Sequence, residues 1–428
     1  MTFVGSILRF VCATLVAAAS ALAANLAPTL LAPLPSVTLE PGTTGIPLPL
    51  ADHFRDPDVP GSAARITIRI GATTRVIDLA LFDATAPLTT ANFLAYVDAG
   101  RFAANFFHRS VPGFVIQNGG FRFLNNTTFD YVPTFPPVLN EPGASNLRGT
   151  VAMAKLGGDP NSATSQWFIN LADNSANLDA QNGGFTVFAR VLGTGMAVAD
   201  EIAALPYYDT TIAPFYLPWD ELPLSAPTLA RSSFIETSAA RVAPLSYTVT
   251  VDDPTLVTAT IADGKLLLSA APGRTADTTV YLTATDLEGG VLETSFTVAV
   301  ATPATLSAWR QIHFATAENT GPAADTADPD ADGIPNLLEY ALALDPRVPA
   351  RAGLPLVATS AGTLTLTYRQ ARADLSYTVQ TTPDLAAPDA WTTAGVTPGA
   401  PDTNKLVTAS VALADPRRFL RLNVAPTP

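Results

Sequence analysis

The pattern of hydrophobic and polar residues changes several times along the chain, and each change predicts a different kind of segment. Residues 24–62 are rich in proline, which fixes φ and removes amide donors, so an extended linker or a loosely docked arm is predicted there. Residues 65–70 and 75–81 alternate apolar and polar positions, as half-buried strands do. Residues 89–98 have apolar side chains at helical spacing and end before Gly100, which favours a helix with a glycine cap.

The same region continues with short strands and a second amphipathic helix. The strands are predicted at 113–117, 149–154, 167–171 and 185–191, and the helix at 196–205. Many strands with two helices predict a closed β-barrel capped by helices, over residues 63–207.

The remainder of the chain is predicted to be mostly strands, which gives a mainly β multidomain protein. Residues 208–226 combine proline with aromatic residues and are predicted to be a linker. Residues 227–302 alternate strands and turns, as a small antiparallel sandwich does. An Asp-rich unit follows at 303–350, and a C-terminal β domain at 351–428.

The first 23 residues have the pattern of a signal peptide. Arg9 precedes an apolar run, and Ala21-Leu22-Ala23 fits the small-residue cleavage pattern. The alternative is a short membrane anchor, but the apolar run is shorter than a spanning helix needs. We therefore expect an exported protein, located in the periplasm, on the cell surface or in the medium, with no membrane span in the mature chain.

Composition excludes several functions. Acidic residues outnumber basic ones 37 to 24, which gives a net charge of −13, and no long Lys/Arg run occurs, so nucleic acid is not an expected partner. The one cysteine, Cys12, excludes an intrachain disulfide and a cysteine-based zinc site. Because there are also only three histidines and three lysines, catalysis would have to depend on something other than thiol, imidazole or lysine chemistry.

Four motifs occur in order between residues 107 and 191. They are FHRSVPGFVIQNGG at 107–120, GTVAMA at 149–154, NSATSQWFI at 161–169 and LDAQNGGFTVFARV at 178–191. This ordered set resembles the cyclophilin family of peptidyl-prolyl cis/trans isomerases. The resemblance implies an eight-stranded β-barrel with two capping helices, isomerase activity without a cofactor for catalysis, and proline-containing peptides and proteins as substrates.

The physics of this reaction agrees with the small number of reactive side chains. Rotation about an X–Pro bond is opposed by amide resonance, with a barrier of about 18–20 kcal/mol in ordinary peptide bonds. No bond is made or broken, and no proton has to move. The catalyst must only favour the twisted amide over the planar one.

The resemblance assigns roles to particular residues. Arg109 would stabilise the twisted amide, Phe114 and Phe168 would hold the proline ring, and Gln117 would hydrogen-bond the substrate backbone. These four form the candidate catalytic set, and the candidate substrate-binding residues are Val115, Ala154, Gln166, Leu178 and Phe185. Val115 replaces a methionine common in the family, and Phe185 stands where eukaryotic members have histidine. Neither departure removes the catalytic set.

A second motif lies in the Asp-rich unit. Residues 328–339, DPDADGIPNLLE, match the calcium loop D-x-D-x-D-G-x5-E. The candidate ligands are Asp328, Asp330, Asp332, the carbonyl of Ile334, Asn336 and Glu339. Because a helix is predicted only after the loop, it resembles half an EF-hand, as in dockerin-like repeats. The expected role is structural Ca²⁺ binding, and the alternative is an acidic, solvated turn.

The accessory β segments allow a second function. Residues 227–302 resemble cadherin-like or immunoglobulin-like sandwiches, and Tyr368, Tyr377 and Trp391 would either line a carbohydrate-binding face or form core. A surface glycan or protein is therefore a further partner to consider. The first hypothesis is an isomerase that assists the folding of exported proteins. The alternative is a non-catalytic adhesion or interaction protein that uses the barrel to bind peptides.

Overall fold

A computed structural model describes residues 25–212, 217–349, 352–360, 362–386, 391–413 and 417–427. The predicted signal peptide, residues 1–23, lies outside the described residues. In the part of the chain that is described, no helix is both long and apolar enough to cross a membrane.

The described secondary structure is mainly β. In chain order, the strands begin with β1 (Thr29–Leu30), β2 (Val37–Leu39), β3 (Ile46–Pro49), β4 (Phe54–Arg55), β5 (Ala63–Ile70), β6 (Thr73–Leu81), β7 (Asn105–Phe106), β8 (Arg109–Val111), β9 (Val115–Asn118), β10 (Phe121–Phe123), β11 (Phe129–Tyr131), β12 (Thr150–Met153), β13 (Trp167–Asn170) and β14 (Val187–Val191). They continue with β15 (Tyr207–Tyr208), β16 (Leu222–Pro223), β17 (Glu236–Val242), β18 (Leu245–Val251), β19 (Val257–Ala262), β20 (Lys265–Ala270), β21 (Ala276–Asp286), β22 (Val291–Val300), β23 (Leu356–Ser360), β24 (Thr363–Arg369), β25 (Leu375–Thr382), β26 (Val396–Thr397), β27 (Leu406–Ala412) and β28 (Phe419–Pro426). The helices are α1 (Pro87–Asp98), α2 (Ser175–Leu178), α3 (Gly195–Ala203), α4 (Leu306–Phe314) and α5 (Asn336–Leu342), with 3-10 turns at Leu50–Asp52, Gln181–Gly183, Arg231–Ser233 and Gly321–Ala323.

These elements form two compact units. Of the described residues, the first unit contains 25–32, 54–247 and 283–293, and the second contains 33–53, 248–282 and 294 onward. The mainly β fold class predicted from the sequence is confirmed.

The first unit is built on one curled sheet of eleven strands. Their order is β11-β10-β7-β17-β5-β6-β14-β12-β13-β9-β8. The resemblance implied eight strands. One reason for the larger number is β17, which lies beyond the predicted barrel in the sequence and pairs with β5 over residues 63–69. The helices α1 and α3 pack against the enclosed face through buried residues such as Phe93 and Ile202.

The structure differs from the sequence analysis over residues 208–242. The segment expected to be a linker forms β15 and β16 and buries Trp219 and Leu222 against Phe106 and Phe121. The aromatic side chains of this segment thus supply a second, smaller core. β17, which was expected in the sandwich, belongs to the barrel sheet.

The proline-rich segment, predicted to be an extended linker or a loosely docked arm, is not a linker but joins two sheets. In the second unit, β2 pairs in parallel with β22, and β3 pairs antiparallel with β20. β3 lies at the edge of its three-stranded sheet, where proline is tolerated because one side of the strand needs no amide donors. The fully buried side chains of Leu39 and Leu50 fix this segment.

The C-terminal part of the second unit has a two-layer β core. Side chains of β24 and β27 pack against those of β25 and β28. Tyr368 is buried in this core and stacks on Tyr377 with ring centroids 6.0 Å apart, which agrees with the core alternative for these residues. A neighbouring cluster joins α4 and α5 through Trp309 and Tyr340.

Candidate active site

The candidate catalytic residues come together through the register of four adjacent strands. Arg109 on β8 lies opposite Gln117 on β9, which lies opposite Phe168 on β13, which lies opposite Ala152 on β12. Directly opposed residues in antiparallel strands project from the same face of the sheet. The register therefore aligns a cation, an amide and an aromatic ring in one row.

Alternate residues of these strands separate the site from the core. Ile116, Trp167 and Ile169 belong to the large core enclosed by the sheet. Val115 and Phe168, which alternate with them, join a separate apolar cluster with Leu178 on the opposite face. The period of two along a strand thus gives the same short segments both a stabilising and a ligand-facing role.

This face forms a cavity of about 240 Å³. Eight of the nine candidate residues line it, namely Arg109, Phe114, Val115, Gln117, Ala154, Phe168, Leu178 and Phe185, together with Lys155 and Gln181. The ninth candidate, Gln166, lies beside the cavity and accepts a hydrogen bond from Gln117 Nε2 at 2.7 Å. The lining therefore combines polar and charged groups with an apolar part that includes Phe114, Phe168 and Leu178.

The loop between β8 and β9 holds Phe114 in place through its backbone. Phe114 N–H donates to the carbonyl of Val111 at 2.9 Å, and its own carbonyl accepts from Leu171 N–H at 2.8 Å and Asn174 Nδ2 at 2.9 Å. The end of β9 is constrained by Gly119, which has a φ of +79°. A Cβ at Gly119 would also collide with the carbonyl of Ser165, so the motif requires glycine here.

The part of the cavity lining that contains Phe185 depends on a short loop after α2. Phe185 N–H donates to the carbonyl of Leu178 at 2.9 Å, and the Phe185 ring meets Phe168 edge-on with centroids 5.8 Å apart. The Lys155 ammonium lies 4.9 Å from the Phe185 ring centroid and donates to the Gly184 carbonyl at 2.6 Å. Burial lowers the pKa of Lys155, and the charge of Asp159 opposes this shift. Lys155 thus fastens this loop to the cavity wall.

Arg109 has a charged partner that the sequence analysis missed. Its Nε donates to Glu221 Oε2 at 2.7 Å, with the two side chains 36% and 28% exposed. Ser110 N–H also donates to the backbone carbonyl of Glu221 at 2.8 Å. Glu221 lies in the segment predicted as a linker, where no local pattern indicated contact with Arg109. Gln181, by contrast, lies within the LDAQNGGF motif, so its place in the cavity lining could have been predicted from the sequence.

His108, next to Arg109 in the chain, is buried and is absent from the cavity lining. Its ring contacts Phe121 with centroids 5.2 Å apart. Burial lowers its pKa to about 4, opposed by hydrogen bonding with Gln166. An imidazole that stays neutral and buried agrees with a reaction that requires no proton transfer.

Of the six candidate ligands of the acidic motif, three aspartates form a cluster in the second unit, and Ile334, Asn336 and Glu339 are outside that cluster. Asp328, Asp330 and Asp332 each offer a carboxylate oxygen within 4.8 Å of the others. Glu339 is 1% exposed with its Oε2 unpartnered, and its pKa is raised to about 8 by burial and by the neighbouring carboxylates, Asp330 first among them. Oxygen-rich, anionic donor sets of this kind fit Ca²⁺.

Comparison with known proteins identifies the family of the barrel. Residues 65–215 match the family model described as cyclophilin type peptidyl-prolyl cis-trans isomerase/CLD. Over 150 residues the chain is 43% identical to the peptidyl-prolyl cis-trans isomerase A of Dickeya dadantii, covering 34% of this chain and 75% of the relative. It is 41% identical over 133 residues to the peptidyl-prolyl cis-trans isomerase of Acinetobacter baylyi, covering 30% and 68%. A third similar protein is the peptidyl-prolyl cis-trans isomerase B of Escherichia coli, at 42% over 127 residues, covering 28% and 74%.

These matches define the class of the barrel domain as a proline isomerase. The chain belongs to the cyclophilin-type peptidyl-prolyl cis-trans isomerase family, and the predicted enzyme class is confirmed.

The buried His108 gives a testable pH dependence of stability. The folded protein keeps His108 neutral down to about pH 4, whereas the unfolded chain takes up a proton below about pH 6.5. The neutral His108 therefore contributes to the free energy of unfolding. This contribution is fully present above pH 6.5, and up to about 3 kcal/mol of it is lost as the pH falls towards 4. The free energy of unfolding should be measured in urea for the wild type and for His108→Gln at pH 7.5, 5.5 and 4.5. It should fall less with acid in the variant than in the wild type. An identical loss in both proteins would contradict this account of His108.

Proposed function

We propose that the cavity catalyses X–Pro isomerisation with the residues that the sequence motifs indicated. The proline ring occupies the apolar part of the cavity formed by Phe114, Phe168 and Leu178, and Gln117 hydrogen-bonds the substrate backbone. Arg109 directs its charge at the amide nitrogen. A cation there opposes conjugation of the nitrogen lone pair with the carbonyl, and so favours the twisted amide over the planar one.

The alignment of Arg109, Gln117 and Phe168 in one cross-strand row is the observation that best supports this proposal. In this arrangement the Phe168 ring would contact the proline and the Arg109 charge would lie beside the X–Pro amide bond. The reaction then needs no nucleophile. The guanidinium suits this role because it stays charged and its donors have a fixed geometry.

The assignment is tested by isomerisation of an Ala-Pro peptide in a protease-coupled assay. The wild type should accelerate the reaction, and Arg109→Ala should lower kcat/KM by about 100-fold, because one preorganised charge is removed from the transition state. Arg75→Ala is the matched control, since Arg75 pairs with Glu201 on the surface of the same unit. An Arg109→Ala variant with wild-type activity would contradict the role of Arg109. If the wild type does not accelerate the reaction, the alternative hypothesis of a non-catalytic, peptide-binding protein is favoured.

We further propose that the enzyme assists the folding of exported proteins. Support comes from the signal-peptide pattern of residues 1–23, with its Ala21-Leu22-Ala23 cleavage site. Slow proline isomerisation limits the folding of many chains, so an isomerase outside the cytoplasm would act on newly exported proteins.

Export is tested by determining the N-terminus of the protein produced in a bacterial host. The mature protein recovered outside the cytoplasm should begin at Ala24, directly after the cleavage pattern. Ala21→Asp with Ala23→Asp should block processing, because the cleavage site requires small residues. A cytoplasmic protein that retains residues 1–23 would refute this part of the proposal.

We also propose that the acidic loop binds a structural Ca²⁺ ion. The ligands would be side-chain oxygens of Asp328, Asp330 and Asp332, the Ile334 carbonyl, and further oxygens from Asn336 and Glu339. Asn336 Nδ2 donates to the carbonyls of Pro322 and Ala324, and its Oδ1 is buried without a partner.

The charge balance of the loop supports the same proposal. Gly333 has a φ of +92°, as the sharp turn of such loops requires. The buried Glu339 would have to carry a proton near neutral pH or share a cation with the neighbouring aspartates. A divalent ion resolves the repulsion while leaving every carboxylate ionised.

This proposal predicts a calcium-dependent change in the pH profile of stability. Without metal, the second unit should lose stability as the pH rises from about 4.5 to about 8, because folding holds a proton on Glu339 that the unfolded chain releases. About 1 mM Ca²⁺ should raise the calorimetric midpoint at pH 8 and remove this decline. The double variant Asp328→Asn, Asp330→Asn should not respond to Ca²⁺, whereas the exposed-site control Asp277→Asn should respond as the wild type does. A midpoint unaffected by Ca²⁺ in the wild type would refute calcium binding.

A further inference from the structure

The segment that carries Glu221 is firmly attached to the barrel. Trp219 and Leu222, on either side of Glu221, are buried in the aromatic cluster with Phe106 and Phe121. The Trp219 ring lies 5.3 Å from Phe106 and 5.1 Å from Phe121, measured between centroids. The position of Glu221 is therefore set by its neighbours rather than by its own side chain.

Backbone hydrogen bonds place this segment beside the strand that bears Arg109. The Glu221 carbonyl accepts from Ser110 N–H at 2.8 Å, and Leu222 is the Cα partner of Tyr208 in the β15–β16 pair. Because the bond to Ser110 uses the backbone, it persists when the Glu221 side chain is replaced. Substitution at this position can therefore alter the carboxylate without undocking the segment.

The contact between the side chains constrains the orientation of the guanidinium. Glu221 Oε2 accepts from Arg109 Nε at 2.7 Å, a distance typical of a charge-assisted hydrogen bond. An unrestrained arginine has several rotatable bonds, whereas a guanidinium fixed at Nε has its plane and direction defined. Because Nε is engaged by Glu221, the Nη groups of Arg109, which also lines the cavity, are the donors left for other contacts.

From these contacts we infer that Glu221 is a positioning residue for Arg109, so that a segment beyond the family-matched residues 65–215 completes the active site. This inference rests on the proposed role of Arg109. Glu221 acts through Arg109 and does not touch the substrate. Its effect should consequently appear in turnover, which depends on the twisted amide, and not in peptide affinity, which depends on the apolar part of the cavity.

The test measures turnover and binding separately by NMR exchange on an Ala-Pro peptide. Glu221→Ala should lower kcat about tenfold with little change in the peptide Kd, because Arg109 loses its fixed orientation. Glu221→Gln keeps an acceptor oxygen for Nε and should restore kcat to within about threefold of the wild type. Glu201→Ala, which breaks the surface pair with Arg75, is the matched control and should have no effect.

Two further measurements separate this inference from the proposed function. In an Arg109→Ala background, adding Glu221→Ala should change nothing further, because there is no guanidinium left to orient. The Arg109 Nε–H signal in ¹⁵N NMR should be protected from exchange in the wild type and less protected in Glu221→Ala.

A Glu221→Ala variant that keeps or increases kcat overturns the positioning role, as does an additional loss in the Arg109→Ala background. An increase would show that the carboxylate weakens the cation instead of orienting it. If Arg109→Ala is inactive while Glu221→Ala is fully active, only the positioning role fails. If Arg109→Ala is fully active, the proposed function itself fails.

Discussion

The antiparallel register of β8, β9, β13 and β12 is the constraint on which both the core and the catalytic face depend. A slip of one residue in any of these strands would turn Phe168 or Gln117 inward and would expose residues such as Ile169. The large core opposes such a slip, because it is built from the alternate residues of the same strands. Packing on one face of the sheet thus maintains the arrangement of polar and aromatic groups on the other.

The two charged sites of the chain solve opposite electrostatic problems. The cavity contains few ionisable groups. The charge of Arg109 is paired with that of Glu221 through a hydrogen bond at Nε. The acidic loop instead holds a cluster of three aspartates whose charges act on the buried Glu339, an arrangement that is unfavourable without protons or a cation. Part of the net negative charge of the chain is therefore concentrated in one loop of the second unit.

The sequence was sufficient for features whose determinants lie close together in the chain. The motifs between residues 107 and 191 contain the strands of the site and the tight turns at glycine, and they led to eight of the residues around the cavity. The contact of Glu221 with Arg109 and the pairing of β17 with β5 were not predicted, because the partners are far apart in sequence. Proline and aromatic residues in 208–226 suit a linker as well as a docked segment, and only the presence of Phe106 and Phe121 as partners decides between these. The same reason applies to β2 and β3, since an isolated proline-rich stretch contains no information about the strands that it will join.

The pairing of β2 with β22 has a consequence for the order in which the protein is made. Val37 is the partner of Val298, so a strand near the start of the chain has to wait for one synthesised long after it. Most of the barrel unit, residues 54–247, emerges in between and can form its own sheet first. The second unit then closes around an early segment that has remained unpaired, which makes its assembly a late and non-local event in biogenesis. During vectorial synthesis, most of the isomerase portion would therefore be formed while the remainder of the same polypeptide was still acquiring its structure.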